Sequence, residues 1–289
     1  MRSGFVMYNK EAVVAQQPFW ITSALQYLNQ PYNRDNILGF YHLEQYEDRM
    51  ECVNTIPDGC TTIFFECSSS GVKGKIAGTV LENQEESYKG KQLYGVYFYP
   101  GELPPCIKIP MSELTGQCIP LSEAVRDVDW AKRLEETEDM KSWMKLFLQK
   151  FKEEPVPTIQ QLKNKKKQRF VSDVNRCIIQ SGGLISIKEL VEQLHYSERY
   201  IQEVYKERMG MSPKTFARIM QFQQALMKFE RADTESWTSF GEDNGYYDQA
   251  HFCKEFKKNT GMTPKSFKKY MDEKDITNRI VSENRFFTR

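Results

Sequence analysis

The sequence predicts an α+β protein of two parts: a β-rich N-terminal barrel or sandwich with flanking helices, and an all-helical C-terminal region. Three observations predict it. Residues 194–216 read LHYSERYIQEVYKERMGMSPKTF and residues 245–267 read GYYDQAHFCKEFKKNTGMTPKSF, so that at an offset of 51 residues GMSPKTF falls on GMTPKSF with five of seven positions identical. A helical unit written twice says more about architecture than any single residue. The first 125 residues instead show short aromatic and β-branched runs separated by Gly-, Ser- and Asn-rich segments, the pattern of strands and turns. Charge divides along the same line: from Lys163 onward there are 24 Lys and Arg against 17 Asp and Glu, a balance of +7, while the remainder has 16 against 22, a balance of −6.

Taken in order, Trp20 falls on a short helix and residues 38–46 form an aromatic strand. Pro57-Asp58-Gly59-Cys60 is a turn, with Asp58 suited to bond its own backbone. Residues 61–67 alternate Ile63, Phe65 and Cys67 on one face with Thr62, Phe64 and Glu66 on the other; both faces carry apolar groups, as in a barrel or sandwich. Residues 74–81 and 91–99 give further strands, with loops at 68–74 and 83–91. Residues 126–155 read as a helix rich in Trp, Met, Leu and Phe, open to a break at the acidic stretch 135–139 and stopped by Pro155-Val156-Pro157. That helix either packs on the N-terminal part or forms a dimer surface. Gln160 to Arg169 is polar and basic and forms the interdomain connection, open to a helix. The domains are therefore 1–125, 126–169 as connector, 170–275, and a tail at 276–289.

Each copy of the repeat has one local logic. Apolar residues precede a turn: Ile185, Ile187, Leu190, Val191 and Leu194 in the first copy, Trp237 and Phe240 in the second. An N-cap follows, Ser197 or Asp248, whose side-chain oxygen accepts from the first unpaired N–H groups of a helix. That helix buries Ile201, Val204 and Tyr205, or Phe252 and Phe256, at helical spacing. Gly210 or Gly261 ends it in the left-handed conformation, and Pro213 or Pro264 opens the next helix at its first position. Helix, turn and second helix make the helix-turn-helix arrangement. Residues 213–229 form a connecting helix with Phe216, Ile219, Phe222, Leu226 and Phe229 along one stripe.

Composition narrows the functional classes. At 289 residues with 40% hydrophobic and 27% charged content, the chain has room for about two ordinary cores. It has no 18-residue apolar run and no secretory leader pattern. Seven cysteines without a CxxC pair fit reduced thiols in the cytoplasm. Three scattered histidines make no metal cluster, and GxSxG, GxxxxGK[ST], HExxH and GxGxxG are all absent, so neither a catalytic site nor a cofactor is expected.

The segment from about 175 to 271 resembles the DNA-binding domain of the AraC/XylS family of transcription regulators, on Gly245-Tyr246, Asp248-Gln249, Phe252, Phe256-Lys257, Gly261, Thr263-Pro264 and Phe267, with Arg218, Ala225 and Leu226 in the connecting helix. His195 stands where the family usually has Gly, and Glu242 and Asp243 are acidic departures in the second unit. The resemblance implies that Arg199, Gln202 and Glu203 face bases from the first recognition helix and Gln249, His251 and Lys254 from the second. Lys206, Lys257 and Lys258 complete the DNA-binding set. The Pro57–Cys60 and Gly95–Gly101 motifs are similar to a cupin-like N-terminal domain found in some members. Together these imply a cytoplasmic regulator that binds double-stranded DNA, with RNA polymerase as a partner if it activates, and with homodimerisation open. In the N-terminal domain Trp20, Tyr41, Glu66 and Tyr97 are the candidates for an effector cavity, suited to a small ligand that is uncharged or cationic. The alternative is an adaptor whose N-terminal domain only dimerises or binds protein.

Overall fold

The computed structural model describes residues 17–34, 36–45, 50–137, 139–152, 159–229, 237–274 and 280–281. The chain order is α1 (Pro18–Ser23), β1 (Gln26–Arg34), β2 (Ile37–Glu44), β3 (Met50–Thr55), β4 (Thr61–Ser68), β5 (Gly71–Ala77), β6 (Gln84–Lys89), β7 (Gln92–Phe98), α2 (Met111–Leu114), β8 (Cys118–Pro120), α3 (Leu121–Ala124), α4 (Val128–Glu135) and α5 (Met140–Lys152). Then follow α6 (Ile159–Gln180), α7 (Ile187–Leu194), α8 (Glu198–Met209), α9 (Pro213–Phe229), α10 (Trp237–Asp243), α11 (Gln249–Thr260), α12 (Pro264–Lys274) and β9 (Ile280–Val281).

A seven-stranded sheet runs β8-β5-β4-β7-β2-β1-β9, antiparallel except where β9 lies parallel to the β1 edge, and β3 and β6 pair as a separate ribbon. Period-2 alternation gives the large sheet two apolar faces. One carries Phe40, Ile63, Phe65, Ile76, Tyr94, Val96 and Phe98, and α4 and α5 cover it with Trp130, Trp143 and Phe147. These helices are core, so the aromatic face read from 126–155 is not a dimer surface. The other face carries Tyr27, Tyr41, Leu43, Phe64 and Leu93 and looks toward α1 and the β3–β6 ribbon.

Two sequence readings are corrected here. The 83–91 loop holds β6, a strand whose Gln84, Glu85, Ser87 and Lys89 are exposed; only Tyr88 is buried, so there was no apolar alternation to read. The 68–74 loop is a tight turn at Ser69-Ser70, and β5 begins at Gly71. The 160–169 connection is the first half of α6, which runs without interruption into the C-terminal region. The Pro155–Pro157 stop and most of the 276–289 tail lie outside the described residues.

The two parts share a core. Phe19 of α1 packs edge-on against Phe267 of α12 at 5.6 Å, and Thr22 Oγ1 lies 2.8 Å from Tyr270 Oη. Asn175 Nδ2 on α6 donates to Pro100 O at 2.7 Å, Thr115 Oγ1 donates to Met209 O at 3.0 Å, and Gln223 Nε2 on α9 donates to Pro57 O at 2.7 Å. Gly59 sits there at φ +77°, and a Cβ on it would lie 2.6 Å from Phe216 Cε2. Glycine is required both for that conformation and for the approach of α9.

Candidate nucleic-acid interface and cavity

The two repeat units fold alike. Ser197 Oγ accepts from Tyr200 N at 3.2 Å to cap α8, and Asp248 Oδ1 accepts from His251 N at 2.7 Å to cap α11. Gly210 and Gly261 end the helices in the left-handed region, at φ 72° and 76°. His195, where the family usually has Gly, takes φ 57° and so keeps the left-handed turn after α7. On the inner faces Ile201, Val204 and Tyr205, and Phe252 and Phe256, are buried. Pro213 and Pro264 each occupy the first position of their helices.

The outer faces are polar. Arg199, Gln202, Glu203 and Lys206 on α8, and Gln249, His251, Lys254, Lys257 and Lys258 on α11, are all exposed. Their contacts are light. Arg199 Nε meets Glu203 Oε1 at 2.8 Å across one turn, Gln202 Nε2 donates to Glu198 Oε1 at 2.8 Å, and Lys258 Nζ lies 3.9 Å from Glu82 Oε2. Exposed pairs of this kind contribute about 0–1 kcal/mol, so a nucleic acid displaces them at little cost. The sequence reading passed over two further side chains. Tyr196 and Tyr247 occupy the same repeat position, directly before each N-cap, and are 46% and 88% exposed. Their 51-residue offset was the available signal.

On the β-rich side, Trp20, Tyr27, Tyr41, Asp58, Cys60, Thr62, Phe64, Glu86 and Tyr97 are among the residues lining a chamber of about 40 Å3. A wider cleft of about 210 Å3 shares Trp20, Phe64 and Glu86 as walls and adds Lys75, Tyr88 and Cys118. The rings are ordered against one another: Tyr41 stacks on Tyr97 at 4.4 Å and Trp20 on Tyr88 at 5.1 Å. Gly95 makes room for this, since a Cβ there would lie 2.6 Å from Tyr41 Oη. Burial pushes the Tyr27 hydroxyl up to about 12, and those of Tyr41 and Tyr97 well above the ordinary tyrosine value.

The structure thus brings Trp20, Tyr41 and Tyr97 to one cavity and leaves Glu66 out of it. Lys75 stands opposite Phe64 on β5, and its Nζ reaches across to Glu66 Oε1 at 2.6 Å, which occupies that carboxylate. The carboxylates of the cavity are Asp58 and Glu86 instead. Asp58 does form the turn read from sequence, since its Oδ1 accepts from Cys60 N at 2.8 Å. It is also only 6% exposed, and its Oδ2 accepts from Gln17 Nε2 at 2.9 Å. Desolvation raises it to about 6 and raises Glu86 as well. Among the described residues no His, Cys, Asp and Glu group is arranged to hold a metal ion.

Two capped helices with polar outer faces, held by one connecting helix and joined to a β-rich domain, define a helix-turn-helix DNA-binding protein. Comparison with known proteins agrees. Residues 190–270 match the family described as helix-turn-helix domain, and residues 35–120 match a domain of unknown function (DUF6597). The chain carries an AraC-type helix-turn-helix domain in its C-terminal region and is a DNA-binding transcription regulator. No curated protein sequence matches the chain. Among solved structures, the C-terminal domain of AraT, a response regulator from Geobacillus stearothermophilus, is 21% identical, covering 39% of this chain and 88% of that one at a TM-score of 0.31. An apo variant of ToxT from Vibrio cholerae is 10% identical over 82% of this chain and 98% of that one, at 0.40. ToxT bound to an unsaturated fatty acid is 9% identical over 85% and 95%, at 0.34. At these scores the alignments by themselves add nothing to the assignment. Among the described residues no helix is long and apolar enough to cross a membrane.

Proposed function

We propose that the protein is a sequence-specific regulator that places α8 and α11 in successive major-groove segments on one face of the duplex, about 34 Å apart. The observation that carries this is the repeat itself: two identically capped helices, each with its apolar face buried and its polar face exposed, joined by α9. Arg199, Gln202 and Glu203 read bases from α8, and Gln249, His251 and Lys254 from α11. Lys206, Lys257 and Lys258 meet phosphates, which supply sequence-independent affinity. Selection of binding sites from a random duplex library tests this. The expected motif has two blocks whose centres lie one helical turn apart, and recovery of no motif would refute it.

In the same reading the cavity is an effector site, and no catalytic step is involved. The Pro57–Cys60 loop supports this reading. Its Asp58 and Cys60 line the chamber, while its Pro57 carbonyl accepts from Gln223 and its Gly59 lies against Phe216, both on α9. A ligand that binds one setting of this loop more tightly than another shifts α9 by that difference in affinity and no more. Self-association and polymerase contact belong to this reading as separate proposals.

A further inference from the structure

We propose that the effector is an organic amine, its ammonium head anchored by Asp58 and flanked by Glu86, with its apolar body lying along Trp20 and Phe64. This rests on the cavity being an effector site. Asp58 and Glu86 both line the chamber; Asp58 meets no Lys or Arg among the described residues and is held by Gln17 and the Cys60 amide, while Glu86 bonds Thr55 and lies within reach of the Lys75 charge without forming an ion pair with it. A carboxylate taken out of water without a cation is costly, and a cation brought beside it offsets that cost. Among the described residues the one basic side chain on either set of walls is Lys75, and it is held by Glu66.

Shape agrees with charge. About 40 Å3 in the inner chamber accommodates a head group of very few atoms, whereas the adjoining cleft of about 210 Å3 accommodates a body. Tyr27, Tyr41 and Tyr97 line the same chamber as Asp58, and aromatic ring faces attract cations through their quadrupole. The cleft already holds one primary ammonium in this way: Lys75 Nζ lies 2.6 Å from a carboxylate and 5.9 Å from the centroid of the Phe64 ring. A carboxylate ligand would have to take Lys75 from Glu66 and then sit beside Glu86.

Isothermal titration of the full chain at neutral pH with phenethylammonium, 2-phenylethanol and 3-phenylpropanoate separates the possibilities. The ammonium should bind tighter than the alcohol by roughly tenfold or more, the range of a charge-assisted hydrogen bond. Asp58→Asn should abolish that preference. Glu86→Gln, at the less buried carboxylate, should reduce it and gives an independent check. Trp20→Ala should weaken all ligands together. Equal binding of ammonium and alcohol, persistence of the preference in both carboxylate variants, or tightest binding of 3-phenylpropanoate would each overturn the amine assignment while leaving the effector cavity standing. Binding of none of the three would overturn both.

Discussion

Asp58→Asn has a consequence that can be worked from burial alone. The carboxyl is 6% exposed, bonded to Gln17 and to the Cys60 amide, and raised by desolvation from 3.8 to about 6. Between those two values the folded chain holds a proton that the unfolded chain has released. Stability therefore falls as pH rises through the window, is highest below about 4, and has lost the full contribution above about 6. At about 1.4 kcal/mol per pH unit the whole loss is about 3 kcal/mol, and roughly half of it falls between pH 5 and pH 8. Asparagine cannot ionise, so the variant loses this dependence. It keeps an acceptor for the Cys60 amide but gives up the bond from Gln17 Nε2, a pH-independent cost of about 1 kcal/mol. The net expectation is a variant more stable than the parent by about 2 kcal/mol at pH 8 and no more stable at pH 4. Urea unfolding of both chains across that range measures it. A parent-minus-variant difference that stays flat with pH would show that Asp58 is not a desolvated carboxylate, and the charge argument for the cavity would go with it.

Other expectations follow from the interface and the caps. Arg199→Ala should relax specificity at one base pair, worth about 1–3 kcal/mol of discrimination, while Lys257→Ala should weaken all sequences alike and lower the salt slope by about one; site selection and salt titration distinguish the two. Ser197→Ala and Asp248→Ala should each cost about 1 kcal/mol of stability by uncapping α8 or α11, as read by thermal unfolding. Gly59→Ala should destabilise by about 1–3 kcal/mol, because the new methyl meets the Phe216 ring and the backbone φ is positive. Gln223→Leu should leave DNA affinity unchanged in the absence of effector but reduce the change an effector produces, as followed by fluorescence anisotropy of labelled operator DNA.

The C-terminal half was legible because its signals are local. Caps at Ser197 and Asp248, terminal glycines at 210 and 261 and prolines at 213 and 264 each act within a few residues, and the repeat states them twice. The β-rich half depends on contacts far apart in sequence. β3 and β6 pair across 28 intervening residues, and β6 has a polar face that reads as a loop. The cavity was legible as an aromatic surface through Trp20, Tyr41 and Tyr97. Its charge was not, because alternation along β4 places Glu66 with Phe64 and cannot show that Lys75 reaches across to occupy it. Asp58 was visible as a carboxylate near a barrel mouth, alongside Glu66, but its position before a strand favoured a turn residue. Its burial comes from Gln17, 41 residues away, and from the α9 helix packed behind Gly59. That the aromatic face of α4 and α5 is core likewise needed the sheet face packed on it, with Phe40 and Phe65 against Trp143.

The most direct test of the central claim is a methylation-interference footprint of the full chain on its selected site. Two recognition helices held by one connecting helix predict two blocks of major-groove guanine interference, centred about 10 base pairs apart on one face of the duplex. Substituting the outer face of α8 should erase one block, and substituting that of α11 should erase the other. A single block that disappears with either set of substitutions, or interference confined to the minor groove, would contradict a two-headed reader.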